Sequence, residues 1–195
     1  MRTAKIERKT KETEILVEVN LDGTGQADIQ TGVGFLDHML TQIAVHGLFD
    51  LAIRAEGDLH IDPHHTVEDC ALVLGAAFKQ ALGDKRGIKR SASANVPMDE
   101  ALGQVVVDFS GRPYPVIKTA WTSPMVGGLP TTLLEHFFES FATASAANLH
   151  VIVHDGRDNH HMAESLFKAM ARALAEAVQV DPRRNSQIPS SKGVL

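Results

Sequence analysis

His64-His65-Thr66-Val67-Glu68 returns, half a chain later, as His160-His161-Met162-Ala163-Glu164. Each phrase follows an acid–histidine pair set in an apolar run: Asp37-His38 ahead of the first, Glu135-His136 ahead of the second. A single phrase of this kind is weak evidence. A lone His-His pair is more often a solvated surface feature, or a buried histidine with its hydrogen bond made, than a ligand. Two phrases in matching order mark an internal repeat that supplies ligands symmetrically. Six of the ten histidines fall in these elements, which points to an enzyme with two related metal sites.

Working outward from the repeat, residues 14–21 are rich in β-branched and apolar side chains and read as a strand closed by the turn at Asp22-Gly23. Phe35 to Val45 carries a helical stripe of Phe35, Leu36, Met39, Leu40 and Ile43, with His38 on the same helix. Leu51 to Ala55 is a short strand. A helix follows Pro63, from about His65 to Leu82, and Gly83 ends it. The order then recurs: strands at Gln104–Phe109 and Pro115–Trp121, a helix at Leu133–Ala147 containing His136, a strand at Leu149–Val153, and an alanine-rich helix from His161 to Val178. The reading predicts an α+β fold of two pseudo-symmetric β-β-α-β-α halves, 1–93 and 94–182. Packed as layers, with sheets outside and helices between, they form one fused unit. Residues 183–195 form a C-terminal tail that ends in Ser190-Ser191-Lys192-Gly193-Val194-Leu195.

The 195 residues, 44% hydrophobic and 22% charged, are enough to bury a core and have the balance of a soluble globular protein. A net charge of −5 argues against nucleic acid or an anionic membrane as the main partner. The one cysteine, Cys70, sits in an apolar run, so no internal disulfide is possible and a reducing cytoplasm is the expected compartment. No segment has the length or apolarity of a signal peptide or membrane span.

In the first turn of a helix, residues i and i+4 share a face, while i+1 points about 100° away. His64 and Glu68 can therefore hold one ion while His65 is aimed at another, and His160, Glu164 and His161 repeat the pattern. If a pseudo-twofold relates the halves, one site is His64, Glu68, His136 and His161, and the other is His160, Glu164, His38 and His65. Nitrogen and oxygen donors without thiolate suit manganese, iron or zinc. Asp37, Asp69 and Glu135 stand next to ligands in sequence and are expected to orient imidazoles. Arg90, Arg112 and Lys192 lie near glycines or in loops and would suit an anionic substrate. Taken singly, each is more often a solvated charge.

These motifs, taken together, resemble the imidazoleglycerol-phosphate dehydratase family of histidine biosynthesis over essentially the whole chain. The resemblance rests on Lys11-Glu12-Thr13, Gly34-Phe35-Leu36-Asp37-His38-Met39-Leu40, His64 to Asp69, Pro97-Met98-Asp99-Glu100-Ala101-Leu102, Ser110-Gly111-Arg112-Pro113-Tyr114, Glu135-His136-Phe137-Phe138 and Asp158-Asn159-His160-His161. Ser191 and Ser165 are mild departures, at positions where the family usually has Thr and often Ala. The phosphatase domain that some bacterial members carry is absent, so the resemblance is to the single-activity form.

The resemblance implies a hydro-lyase that dehydrates imidazole glycerol phosphate to imidazole acetol phosphate with two manganese ions per active site. It further implies a cubic 24-mer whose metal sites are shared between subunits. By the same carry-over, Gln42, Arg90, Arg112, Ser190, Ser191 and Lys192 are phosphate or substrate contacts, and Glu12 is an active-site acid. Glu68 and Glu164 join it as candidate catalytic acids. The proton removed lies on a carbon with no adjacent carbonyl, so the substrate's imidazole must act as electron sink, through an imidazolate and a diazafulvene-like intermediate. A metal on one ring nitrogen would favour that imidazolate. The ligand set alone leaves two rivals: a di-metal phosphoesterase and a metal-binding or storage protein.

Overall fold

The computed structural model describes residues 1–195. The first half contains strands β1 (Thr3–Lys9), β2 (Thr13–Asn20) and β3 (Ala27–Gln30), helix α1 (Gly34–Gly47), strand β4 (Asp50–Gly57) and helix α2 (His64–Leu82). The second contains β5 (Ser91–Met98), β6 (Ala101–Asp108), β7 (Tyr114–Lys118), the small hairpin β8 (Met125–Val126) and β9 (Leu129–Pro130), α3 (Thr131–Ser145), β10 (Asn148–Asp155) and α4 (Asn159–Val178). A short 3-10 turn at Pro182–Arg184 leads into the tail.

Each half builds a four-stranded sheet, in the order β1-β2-β4-β3 and β5-β6-β10-β7. The topology is the same in both: two antiparallel neighbours, then a parallel edge pair, β3 with β4 and β7 with β10. The repeat read from the histidine phrases is therefore a repeat of folds. Alternation puts Ile15, Val17 and Val19 of β2, and Val105 and Val107 of β6, on the inner faces, all fully or almost fully buried. The helices lie between, and they pack across the halves: α2 against α3, and α1 against α4. Gly75 makes the first contact possible, since a Cβ there would stand 2.7 Å from the Phe141 carbonyl oxygen. Phe138 and Phe167 meet in the core with ring centroids 4.9 Å apart.

Each sheet has four strands, against two placed from sequence in the first half and three in the second. The added strands β1, β3 and β5 are edge strands with wet outer faces. In β5 only Val96 is fully buried, and the residues that alternate inward with it, Ala92 and Ala94, are small and only partly buried, a weak strand signal. β7 stops at Lys118, before the expected Trp121, because Thr119 and Trp121 turn to donate hydrogen bonds to Glu135. β5 begins at Ser91, after the loop that follows α2. No helix is long and apolar enough to cross a membrane.

Candidate metal centres

Both histidine phrases open a helix just after an aspartate. Asp62 accepts the backbone N–H of His64, and Asp158 accepts that of His160, each at 2.7 Å. These bonds satisfy N–H groups that a helix start leaves unpaired. The helical spacing then sets His64 beside Glu68 and His160 beside Glu164, and the third donor comes from the opposite half. α3 brings His136 to the first pair, and α1 brings His38 to the second. In each trio the donor atoms lie within 4.8 Å of one another.

The first group is open. His136 Nε2 is buried without a hydrogen-bond partner and lies 3.6 Å from Glu68 Oε1. His64 Nε2 is 3.9 Å from Glu68 Oε2. Both separations are too long for hydrogen bonds, and both suit donors arranged around one small cation. The orphaned nitrogen and the thiolate-free donor set fit a divalent metal. The second group is tighter. Glu164 Oε2 lies 2.9 Å from His38 Nε2 and 3.2 Å from His160 Nε2, while Lys168 Nζ donates to Oε1 at 2.7 Å. Burial pushes the Glu164 carboxyl up, but the Lys168 and His38 hydrogen bonds outweigh it and hold it down to about 2.

His65 and His161 stay outside both groups within the chain, so each four-ligand set closes to three. One helical position further round, their rings point away, as the 100° step requires. His65 Nδ1 is held at 3.0 Å by Asp58, and His161 Nδ1 at 2.8 Å by Glu100. These contacts raise both imidazoles, and the His161 bond helps hold the Glu100 carboxyl down to about 2. The outward Nε2 atoms then lie 3.9 Å from Glu12 and 3.8 Å from Asp99. The acids expected to orient imidazoles do other work. Asp37 accepts from the Thr31 amide and hydroxyl, Glu135 from Thr119 and Trp121, and Asp69 from Arg8 and Thr13. The orienting acids, Asp58 and Glu100, are distant from their histidines in sequence, so adjacency could not reveal them.

Gln42 stands one turn after His38, its amide donating to the His38 carbonyl at 3.3 Å. Two residues not singled out from sequence, Lys168 and His46, lie beside this group. Lys168 pairs with Glu164, and burial together with the charges of Lys168 and Arg172 lowers the His46 pKa. The four-residue spacings His38–Gln42–His46 and Glu164–Lys168 carried that signal.

The expected phosphate contacts gather elsewhere. Arg90 is paired through Nε and Nη2 with Asp108 at 2.6 and 2.9 Å, and its Nη1 donates to the Pro189 carbonyl at 2.9 Å. That bond ties down the tail carrying Ser190, Ser191 and Lys192, with the Ser190 hydroxyl accepting the Lys192 N–H. Leu195 packs on Gly111, beside the exposed Arg112. The Arg90 amide bonds to the Ala177 carbonyl near the C-terminal end of α4. At 1.5 Å per residue this corner lies roughly 25 Å along the helix from His160.

Comparison with known proteins places the chain in a family. The family model for imidazoleglycerol-phosphate dehydratase matches residues 31–174. An imidazoleglycerol-phosphate dehydratase of Thermobifida fusca is 59% identical over 196 residues, covering 100% of this chain and 99% of the relative. One of Streptomyces griseus is 57% identical over 195 residues, covering 100% and 98%. The crystal structure of the Pyrococcus furiosus enzyme superposes with a TM-score of 0.85 at 34% identity, over 97% of this chain and 100% of that one. The Staphylococcus aureus structure gives 0.83 at 34% identity, over 92% and 99%. The chain belongs to the imidazoleglycerol-phosphate dehydratase family, a family of hydro-lyases.

Proposed function

We propose that this chain dehydrates imidazole glycerol phosphate to imidazole acetol phosphate in histidine biosynthesis, in the cytoplasm, with two manganese ions per active site. The observation that carries the reading is the pair of His/His/Glu groups built across the two halves. When bound, the ions would supply Lewis acidity that makes the substrate's imidazole a better electron sink. His38, His160 and Glu164 would hold one ion, and His64, Glu68 and His136 the other. His65 and His161, already oriented by Asp58 and Glu100, complete the shells of neighbouring subunits. Glu164 serves at the carbon proton and Glu12 at the departing hydroxyl. Gln42 contacts substrate, and Arg90, Arg112, Ser190, Ser191 and Lys192 take the phosphate.

The roughly 25 Å between the Arg90 corner and His160 supports a site shared between chains, because a three-carbon chain cannot bridge it. Together with the outward Nε2 atoms of His65 and His161, it favours a homo-oligomer, which the family resemblance puts at 24 subunits. Mass analysis after incubating manganese-loaded protein with imidazole glycerol phosphate tests the activity. Loss of one water with phosphate retained is expected. Release of inorganic phosphate would replace this reading with a phosphoesterase, and binding without turnover would leave a metal-binding protein.

A further inference from the structure

The two halves can be superimposed residue by residue at their first hairpins. Thr10 pairs with Thr13 across the β1–β2 turn, and Met98 pairs with Ala101 across the β5–β6 turn, so Lys11-Glu12 and Asp99-Glu100 are equivalent two-residue turns. Glu12 and Glu100 therefore occupy the same place in the repeat, but their carboxylates do opposite things. Glu100 is consumed: it accepts from the backbone N–H groups of Arg157 and Asp158 and from His161. In the first half Asp58, at the end of β4, takes His65 instead. The Glu12 carboxylate is left free, 57% exposed and 3.9 Å from His65 Nε2.

A free carboxylate still needs a fixed base. The backbone of Glu12 is held at both ends: its N–H donates to Thr10 Oγ1 at 3.1 Å, and its carbonyl accepts from the Asp58 amide at 3.1 Å. Beneath the turn, the buried Asp69 of α2 accepts from the guanidinium of Arg8 on β1 and from the hydroxyl of Thr13 on β2. That triad fastens both strands of the hairpin to the first turns of the helix that carries His65. The second half has no counterpart, because Val96, Ala101 and Ser165 stand at the equivalent positions. Burying a charge where the repeat would place apolar and small residues is costly unless the geometry it fixes is needed.

We infer that Arg8, Asp69 and Thr13 form a positioning clamp that holds the free Glu12 carboxylate at the reaction centre. This rests on the proposed catalytic role of Glu12. The test is a double-mutant cycle on the intact, manganese-loaded protein, with Asp69→Ser (the second half's residue) made in the parent and in Glu12→Gln. Misplacing a catalytic group by about an ångström can cost on the order of a hundred-fold in rate. Asp69→Ser is therefore expected to lower kcat by at least about ten-fold at nearly constant KM, and to change the residual kcat of Glu12→Gln by less than about two-fold. Equal loss in both backgrounds would overturn the clamp and leave the triad a fold element. Near-parental kcat in Glu12→Gln alone would instead remove the catalytic role of Glu12, and the clamp with it. Should Asp69→Ser fail to fold, Thr13→Val and Thr13→Ser give the same answer. The first is expected to lower kcat, the second to restore most of it by keeping the hydroxyl, and equal kcat in the two would reject the clamp.

Discussion

In the group of His38, His160 and Glu164, the carboxylate is buried and already meets a cation, Lys168, as well as two imidazoles at hydrogen-bonding distance. In the group of His64, Glu68 and His136, the carboxylate is more exposed and has no lysine or arginine in contact. The histidine nitrogens stand off it by 3.6 and 3.9 Å, and one of them is buried and unpaired. The donor types and helical spacing are the same. The lesson is that the repeat duplicated the candidate donors but not the charge balance around them. One group is satisfied by its own residues, whereas the other holds a buried imidazole nitrogen without a protein partner, which a bound ion would meet.

Ligand removal gives the largest expected effect. His64→Ala and His160→Ala should each reduce turnover by about a thousand-fold, since a metal supplies several kcal/mol of charge stabilisation and each 1.4 kcal/mol is tenfold. Steady-state kinetics at saturating manganese would show it, and a strong effect in only one variant would break the equivalence of the two groups. Next come the two acids of the equivalent turns. Glu12→Gln should cost roughly a hundred-fold or more in kcat with metal content retained, the range of general acid–base catalysis. Glu100→Gln should instead weaken manganese affinity about 10- to 100-fold, as expected when a histidine ligand loses its orienting carboxylate. Metal analysis beside kinetics separates the two.

A smaller effect sharpens the comparison of charge balance. Lys168→Met strips Glu164 of its cation and should destabilise the metal-free protein by about 1–3 kcal/mol, seen as a lower Tm. Added manganese should recover much of that loss, because the ion replaces the missing charge. The smallest effect lies away from both groups. Arg2, by its hydrogen bond, holds the Asp22 carboxyl below its usual 3.8. A carboxyl depressed in the folded state contributes stability above its unfolded pKa and loses it as pH falls below that value. Asp22→Asn should therefore slightly flatten acid destabilisation below about pH 4, by about 0.5 kcal/mol or less for so exposed a pair.

The pairing of donors was legible in sequence because helical spacing is local: His64 beside Glu68 and His160 beside Glu164 follow from a single turn. The four helices and the central strands β2, β4, β6 and β10 were legible because each has a buried stripe or face. β1, β3 and β5 were not, since an edge strand such as Ser91–Met98 fully buries one residue and turns only the small, weakly strand-forming Ala92 and Ala94 inward beside it. Nor were the partners of His65 and His161. Asp58 and Glu100 reach them only through the strand ends that the fold brings to each helix start. Adjacency favoured Asp37, Asp69 and Glu135 instead, and each of those is used to fasten a loop or hairpin.

The central claim is that the two repeated His/His/Glu groups are two metal sites serving one dehydration. Titrating metal-free protein with manganese, while counting bound ions per chain and measuring water loss from imidazole glycerol phosphate in the same samples, tests it most directly. The account predicts two ions per chain, with turnover appearing only as the second fills, and one ion lost in each of Glu68→Gln and Glu164→Gln. Full turnover with a single ion per chain, or with none, would contradict it.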